Sequence, residues 1–476
     1  MRKIVGPVIK DVKGSALIHI DMSFCKASLG GSAFYQTLGY VGGDTPDIMD
    51  SEYFADAYLA VQELIFDGKV LAIHDISAGG LITTLLEMTF ANTKGGLDVT
   101  LPATDIDLRT LLFAENPGVV LQVTDPKAVM ARLEDAGVGC AQIATLSPDR
   151  RLKISAKGND ITLDIDALRD VWYEASKRME PYQTNSAQAT ERAKNYFHQP
   201  LQYQFGANFK GTLESYGKTR DRKERSGITA AIVRDKGTNG EREMAYSLHL
   251  AGFDVKDVHM TDLMTGREDL SEVQMLVFCG GFSNSDVLGS AKGWAAGFLY
   301  NEKAKAALDA FYKREDTLSL GICNGCQLLG ELGLLYPDHE KKHRMVHNDS
   351  GRFESGFVSL EIPANDSVMF GSLSGQKIGV WIAHGEGKFD LPYSTDKYNV
   401  VAKYVYDAYP ANPNGSPEGI AALTSTCGRH IAMMPHPERC IFPWQCGYYP
   451  EHEGMDVTPW FEAFVNAFDW CKTHKK

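Results

Sequence analysis

The segment 321–327, of sequence Gly-Ile-Cys-Asn-Gly-Cys-Gln, is the feature that most constrains the fold of this chain. It follows residues 316–320, which are typical of a buried strand, and precedes residues 328–335, which are typical of the start of a helix. Glycines on both sides of Cys323 remove the Cβ atoms that would crowd a sharp strand-to-helix turn. Such a turn is a nucleophile elbow in cysteine form, and the helix N-terminus favours the thiolate. The segment therefore predicts an α/β fold with a nucleophile at Cys323.

A base for this thiol is predicted far downstream. His436 and Glu438 lie in the sequence Pro-His-Pro-Glu-Arg, after an apolar, strand-like run at residues 430–434. Side chains two residues apart leave an extended chain on the same side. Glu438 is therefore predicted to orient the imidazole of His436, which in turn serves Cys323 as the catalytic base.

Donors for an oxyanion are predicted at two backbone positions. Residues 275–278 are typical of a strand, and the strand runs into Gly280 and Gly281, whose loop can present free N–H groups. The N–H of Asn324, directly after the nucleophile, is the second predicted donor. The alternative is that the two glycines only form a tight turn.

Other functions for these residues stay open at this stage. Cys323 and Cys326 have the spacing of a redox pair or of half a zinc site, although a second ligand pair is not evident in the sequence. Cys326 is otherwise expected to be a packing residue on the first helical turn. His436 could instead be a surface histidine beside proline. We expect no metal site.

Composition limits the class of protein. The net charge of −13 argues against broad binding to nucleic acid, and no apolar run approaches the roughly 18 residues of a membrane-spanning helix. The N-terminal residues show no signal-peptide pattern, so no membrane partner is expected. Nine cysteines without framework spacing fit a reducing compartment, and we expect a cytoplasmic protein.

The 476 residues are predicted to form two domains joined by a linker. Residues 1–180 alternate strand-like and helix-like stretches in an α+β pattern. Residues 181–226 are rich in Tyr, Gln, Asn, Lys and Arg, and are interpreted as a solvated linker. Residues 227–476 alternate strands and helices in the manner of a doubly wound, mostly parallel sheet. The predicted fold class is therefore α/β for the chain, with an α+β first domain.

Three motifs together resemble the class I glutamine amidotransferases: the segment around Cys323, the loop with Gly280 and Gly281, and the Pro-His-Pro-Glu sequence that contains His436. Segments 237–244, 257–263, 348–354 and 383–387 narrow the resemblance to the glutaminase domain of the large-type phosphoribosylformylglycinamidine synthases. Segments 28–33 and 74–81 resemble the last synthetase subdomain of the same family. The resemblance covers essentially the whole chain.

The resemblance implies a glutamine-hydrolysing C–N ligase of purine biosynthesis. Glutamine is the implied substrate, with a thioester on Cys323 and no cofactor for its hydrolysis. ATP and Mg are implied for the complete synthetase, whose principal ATP and ribonucleotide sites belong to sequence ahead of the matched region. The implied partner is this remaining synthetase region, in the same chain or a separate one. The chain alone is expected to hydrolyse glutamine at best.

The resemblance also suggests further site residues, each with a structural alternative. Gln327 is implied to bind substrate. His384 and Glu386 lie in a glycine-rich loop that is expected to face the glutamine pocket or an interface. Asn348 and Arg352 form a second group, in which Arg352 is expected either to bind a carboxylate or to form a structural ion pair. Asp75, Ser77 and Gly79 are expected near a nucleotide or phosphate, although Ser77 could instead be an ordinary helix cap.

The chain departs from the family pattern at the predicted oxyanion loop. Cys279, Asn284 and Ser285 stand where Pro, Tyr and Gly are common, which leaves the backbone role of Gly281 intact but alters the loop. Two other hypotheses remain: a cysteine hydrolase or peptidase of similar fold, and a non-catalytic regulatory module. The intact trio of Cys323, His436 and Glu438 argues against the second.

Overall fold

A computed structural model describes residues 3–102, 104–156, 158–198, 200–450 and 454–475. The chain divides into two compact units, Met1–Arg178 and Met179–Lys476. Each unit has its own main sheet, and the buried hydrophobic residues form two core clusters in the first unit and one in the second.

The first unit is an α+β domain. Its strands are β1 (Ala16–Asp21), β2 (Val70–Asp75), β3 (Gly96–Thr100), β4 (Gly118–Val123), β5 (Cys140–Ser147), β6 (Arg151–Ala156) and β7 (Asn159–Asp164). Its helices are α1 (Ala33–Thr37), α2 (Ser51–Phe66), α3 (Gly80–Phe90), α4 (Leu108–Phe113), α5 (Pro126–Asp135) and α6 (Ile165–Met179).

The seven strands form one sheet in the order β2-β4-β1-β5-β3-β6-β7. All neighbouring strands are antiparallel except β3 and β6. Alternate residues of β1 enter two different cores, Leu17 one and Ile18 the other, because successive side chains of a strand point to opposite faces. The predicted α+β class is confirmed.

The second unit is an α/β domain. Its strands are β8 (Thr229–Arg234), β9 (Asp254–His259), β10 (Met275–Phe278), β11 (Leu318–Ile322), β12 (Arg344–Val346), β13 (Glu354–Glu361), β14 (Lys377–His384), β15 (Lys388–Asp390), β16 (Asn399–Tyr404), β17 (Ile420–Thr424) and β18 (His430–Met433). Its helices are α7 (Ser186–Asn195), α8 (Glu241–Ala251), α9 (Met260–Thr265), α10 (Lys292–Leu299), α11 (Glu302–Lys313), α12 (Asn324–Leu332) and α13 (Pro459–His474).

Nine of these strands form the central sheet, in the order β14-β13-β16-β17-β18-β11-β10-β8-β9. The five strands from β18 to β9 are parallel, as the doubly wound pattern predicted. The predicted nucleophile, base and oxyanion loop follow β11, β18 and β10. These three strands are neighbours, so their carboxyl ends bring the three loops to one edge of the sheet.

The other half of the sheet was not foreseen in detail. Strands β17, β16, β13 and β14 extend the parallel half with antiparallel pairs. β14 is antiparallel to β13 and ends at His384, which places segment 383–387 beside the predicted site. A separate two-stranded ribbon pairs β12 with β15.

Residues 181–226 differ from the solvated linker that their composition indicated. Helix α7 lies within this segment, Gln204 forms a bridge to Lys377, and Leu213 is buried in the core of the second unit. The hydroxyl of Tyr216 donates to Glu462, and its ring packs edge-on against Phe461. The sequence of this segment did not indicate such packing, because it contains few apolar residues. Polar and aromatic side chains anchor the segment instead, through hydrogen bonds and ring contacts.

Candidate active site

Cys323 occupies the strained turn that the sequence predicted. It is the residue before α12, with φ 52° and ψ −105°, and its side chain is 6% exposed. Such a conformation costs roughly 1–3 kcal/mol for a residue with a Cβ and persists only where the surroundings impose it. A Cβ on Gly325 would lie 2.1 Å from the carbonyl oxygen of Phe278, and one on Gly321 would lie 2.5 Å from that of Gly325. The flanking glycines are therefore a steric requirement of the elbow.

His436 and Glu438 are in direct contact. Nδ1 of His436 lies 2.7 Å from Oε1 of Glu438, and both side chains are 2% exposed. The chain between them turns as a short 3₁₀ helix (Pro437–Arg439) rather than continuing as a strand. The sequence thus identified the pair, but the turn, not an extended chain, brings the two side chains together.

The imidazole of His436 also faces Cys323. A Cβ built on Gly280 would lie 2.8 Å from Cε1 of His436 and 3.3 Å from Cβ of Cys323, so both side chains crowd the same position. Nε2 of His436 has no hydrogen-bond partner among the described residues, and Sγ of Cys323 lies 3.6 Å from the carbonyl oxygen of Ala383. The arrangement leaves Nε2 available to the thiol.

The pKa of His436 is set by opposing effects. Burial lowers the pKa, but the carboxylate of Glu438, followed by the sulfur of Cys323, more than offsets burial and raises it to about 9. The imidazole of His436 is therefore protonated at neutral pH.

The backbone around the predicted oxyanion position is open. Gly281 has φ 128°, and a Cβ there would lie 2.5 Å from Cα of Thr238. The N–H groups of Gly281 and Asn324 take part in no hydrogen bond within the described part of the chain. Both are therefore free to bind a developing negative charge. Asn284 and Ser285, which replace the usual Tyr and Gly, adopt positive φ angles of 51° and 57°.

The side chains of Asn324 and Gln327 connect the elements around the elbow. Oδ1 of Asn324 accepts from the N–H of Ser283 at 3.0 Å, and its Nδ2 donates to Oε1 of Gln327 at 2.7 Å. Nε2 of Gln327 donates to the carbonyl of Glu386 at 2.8 Å. Gln327 is 4% exposed, and both polar atoms of its side chain form these hydrogen bonds. The residue therefore connects α12 to segment 383–387.

Segment 383–387 is fixed by Asn348 and by Glu386. Nδ2 of Asn348 donates to the carbonyl of His384 at 2.7 Å, and its Oδ1 accepts from the N–H of Gly387 at 3.0 Å. The carboxylate of Glu386 accepts from both the N–H and the hydroxyl of Ser290 at 2.6 Å. These contacts anchor the segment and do not line the cavity beside Cys323.

His384 is the last residue of β14 rather than part of the loop that follows it. Its ring is buried, and neither ring nitrogen has a partner among the described residues. Burial, reinforced by the nearby His436, lowers the pKa of His384 to about 3. The ring is therefore neutral at physiological pH.

Arg352 forms structural contacts in this structure. Its Nε lies 3.0 Å from Oε1 of Glu354, and its Nη2 donates to the hydroxyl of Tyr409 at 2.8 Å. Its side chain also lies 3.5 Å from Glu180. Of the two interpretations that the sequence left open, the structural ion pair is the one present.

A cavity of about 260 Å³ opens beside the predicted nucleophile. Its lining residues are Asn239, Gly240, Glu243, Gly281, Phe282, Cys323, Phe353, Ala383, His436 and Arg439. The sequence analysis assigned no role to seven of these residues: Asn239, Gly240, Glu243, Phe282, Phe353, Ala383 and Arg439. Five of the seven lie within motif segments that carried the resemblance, which was the signal available: Asn239, Gly240, Glu243, Phe353 and Ala383.

The second cysteine of the elbow segment is unsuited to redox or metal chemistry. Cys326 is fully buried on α12, and burial raises the pKa of its thiol well above the usual value. Both Cys323 and Cys326 are free thiols. The packing role expected for Cys326 agrees with its position.

In the first unit, a carboxylate of the protein occupies the position that was predicted to bind phosphate. The N–H of Gly79 donates to Oε1 of Glu115 at 2.8 Å, and the same oxygen accepts from the N–H of Ala33. Gly79, not Ser77, is the residue before α3, and no side chain caps this helix. Asp75 is exposed and lies 3.2 Å from Nδ1 of His74. Nucleotide contact at this position stays a prediction.

Comparison with protein families matches most of the chain. Residues 228–471 match the family model of CobB/CobQ-like glutamine amidotransferase domains, and residues 12–157 match the C-terminal domain of AIR synthase related proteins. The order of the two domains fits the C-terminal portion of the large-type synthases that the sequence resembles. Among the described residues, no helix has the length and apolar character needed to cross a membrane.

Full-length relatives extend the comparison. A protein of Arabidopsis thaliana named "probable phosphoribosylformylglycinamidine synthase, chloroplastic/mitochondrial" is 39% identical over 96% of this chain and 34% of its own length. The human phosphoribosylformylglycinamidine synthase is 36% identical over 98% of this chain and 37% of its own length. The chain thus spans about a third of these relatives. The PurLQS structure from Thermotoga maritima shares 28% identity over 52% of this chain and 99% of that chain, with a TM-score of 0.40.

Proposed function

This chain belongs to the CobB/CobQ-like glutamine amidotransferase family through residues 228–471, and we propose that it releases ammonia from glutamine through a thioester on Cys323. One observation carries the proposal: Cβ of Cys323, in its strained turn, and the buried imidazole of His436, which is bonded to Glu438, crowd the same glycine, Gly280. This is the nucleophile, base and orienting group that amide hydrolysis requires.

The proposed reaction has two halves. The thiolate of Cys323 attacks the side-chain amide carbon of glutamine, and the N–H groups of Gly281 and Asn324 stabilise the oxyanion. The C–N bond breaks as His436, oriented by Glu438, donates its proton to the leaving nitrogen, which departs as ammonia. His436 then takes a proton from water, which attacks the thioester, releases glutamate and restores the thiolate.

We propose that the ammonia serves the reaction of a longer enzyme. In that reaction an ATP-activated formamide oxygen of formylglycinamide ribonucleotide is displaced to give the amidine of purine biosynthesis. ATP and Mg supply the activation. The N–H of Gly79 already donates a hydrogen bond to Glu115, so this position would bind phosphate only after Glu115 is displaced.

The proposed partners are glutamine and the remaining synthetase region, without a nucleic acid or membrane partner. A cytoplasmic location is proposed on the state of the cysteines, because all nine are free thiols. The Arabidopsis relative, by contrast, is named chloroplastic/mitochondrial.

The test compares wild type with Cys323→Ala and with Cys326→Ala as the matched control. Wild type and Cys326→Ala should release glutamate from glutamine, whereas Cys323→Ala should lose at least about a thousandfold in rate. Mass spectrometry should also find 6-diazo-5-oxo-norleucine, a glutamine mimic, attached to Cys323. Attachment to Cys326, or turnover that survives Cys323→Ala, would contradict the proposal.

A further inference from the structure

One wall of the catalytic cavity is formed by a loop that depends on other parts of the second unit. Residues 348–353, the Phe353 loop, contribute the ring of Phe353 to the cavity, where it lies 6.0 Å from the ring of Phe282. On one side, Asn348 binds this loop to segment 383–387. Phe353 is 48% exposed, so few neighbours hold its ring directly.

The other side of the Phe353 loop is held by residues 179–195, here called the strap. The hydroxyl of Thr184 donates to the carbonyl of Ser350 at 3.2 Å, and Nδ2 of Asn185 donates to the carbonyl of Asp349 at 2.5 Å. Two consecutive carbonyl groups of the loop are therefore held by two consecutive side chains of the strap.

A network centred on Tyr409 strengthens this attachment. The hydroxyl of Tyr409 accepts from Arg192 of the strap and from Arg352 of the loop, and it donates to Glu354 at 3.2 Å. Nε of Arg192 lies 2.9 Å from Glu180, which is also 3.5 Å from Arg352.

Burial makes this network stiff. Tyr409 is 2% exposed and Glu354 is 6% exposed. Charge-assisted hydrogen bonds in such surroundings are stronger and geometrically more specific than exposed ones. Arg352, the neighbour of Phe353 in the chain, is thereby fixed between the strap and Glu354. The direction in which Phe353 leaves the backbone therefore depends on the strap.

We propose that the strap is a positioning element of the glutamine pocket, with Arg192 as its principal residue. Arg192 acts through Tyr409 and Arg352 to set the Phe353 wall against the bound substrate, and it does not touch the reacting atoms. The inference deepens the proposed glutaminase function and rests on it. Loss of the arginine should impair recognition of glutamine-shaped molecules more than the intrinsic reactivity of Cys323.

The test is a comparison of two electrophiles at Cys323 in the full chain. The rate of labelling by 6-diazo-5-oxo-norleucine reports on the pocket, and the rate with iodoacetamide reports on the thiol alone. In Arg192→Met, labelling by the glutamine mimic should fall about five- to tenfold, with less than a twofold change for iodoacetamide. The matched control is Lys194→Met, two positions along α7, where the lysine is exposed.

A second variant covers the case in which Arg192→Met fails to fold. Tyr409→Phe removes only the central hydroxyl and should lower the ratio of the two labelling rates in the same direction. A ratio equal to that of wild type in either folded variant would overturn the inference while leaving the proposed function intact. Failure of the glutamine mimic to label Cys323 in wild type would overturn both.

Discussion

At the scale of single residues, the site depends on three positions whose side chains were named from sequence. Cys323 is held in a strained turn, and His436 and Glu438 form a buried pair at 2.7 Å. What the residues alone did not specify is the electrostatic balance between them. Burial opposes a charged imidazole, whereas the carboxylate and the sulfur favour it, and the latter two dominate.

Glu438→Gln tests this balance. Without the carboxylate, the pKa of His436 should fall from about 9 towards its ordinary value of 6.5. We expect glutamate release to fall roughly a hundredfold or more, because the imidazole loses both its orientation and its charge. The alkaline limb of the rate profile, where His436 loses the proton needed by ammonia, should move to lower pH. Glu302→Gln, at an exposed position in α11, is the control.

The same pKa shift predicts how stability depends on pH. A group whose pKa is raised on folding stabilises the folded state fully below its unfolded pKa. For His436 this contribution is complete below about pH 6.5 and is lost as the pH rises through about 9. Urea unfolding across this range should show wild type losing stability more steeply than Glu438→Gln. Parallel curves for the two proteins would contradict the assignment.

At the scale of elements, the site is assembled from loops after neighbouring strands. β10, β11 and β18 are adjacent and parallel, and each delivers one component. The loop after β10 has the most strained backbone of the three loops. Between residues 284 and 291, five residues other than glycine have positive φ, namely Asn284, Ser285, Asp286, Ser290 and Ala291. The backbone N–H groups of Ser283 and Ser290 donate to the side chains of Asn324 and Glu386, which holds part of this loop in place.

Ser285→Gly should relieve part of this strain. Ser285 is exposed and has φ 57°, a conformation that glycine adopts without steric cost. We expect the free energy of unfolding to rise by about 1 kcal/mol, with little change in glutamate release. Ala296→Gly, within α10, is the opposite control and should lower the free energy of unfolding by about 1 kcal/mol. A destabilised Ser285→Gly variant would show that the serine makes a contact outweighing its strain.

At the scale of the whole molecule, each unit has its own core, and the boundary lies at Met179. Residues 179–226 belong with the second unit, although their composition indicated a solvated linker. Arg222 illustrates the reason: it bonds to the carbonyl of Phe253 at 2.6 Å and lies 3.3 Å from Asp254. Charged residues that look like a solvated run are used here as anchors on the surface of a domain.

Two fragments test this assignment. A fragment of residues 179–476 should unfold cooperatively, whereas a fragment of residues 227–476 should melt at least about 10 °C lower, because several kcal/mol of buried contacts are missing. The lost contacts include buried Leu213 and the bridge between Gln204 and Lys377. Thermal unfolding followed by circular dichroism provides the measurement. Equal melting temperatures would restore the interpretation of residues 181–226 as a linker.

The sequence by itself determined the class of each domain and the parallel strands, and it predicted the three residues that the structure brings together. These follow from local patterns: alternation of apolar residues, glycines around a thiol, and an acid two residues from a histidine. Only the tertiary structure decided which neighbouring residues form the cavity and which support it. Gln327, Asn348 and Arg352 resembled site residues but use their polar atoms on other protein groups. Hydrogen-bond partners distant in the chain made that distinction, and no local pattern encodes them.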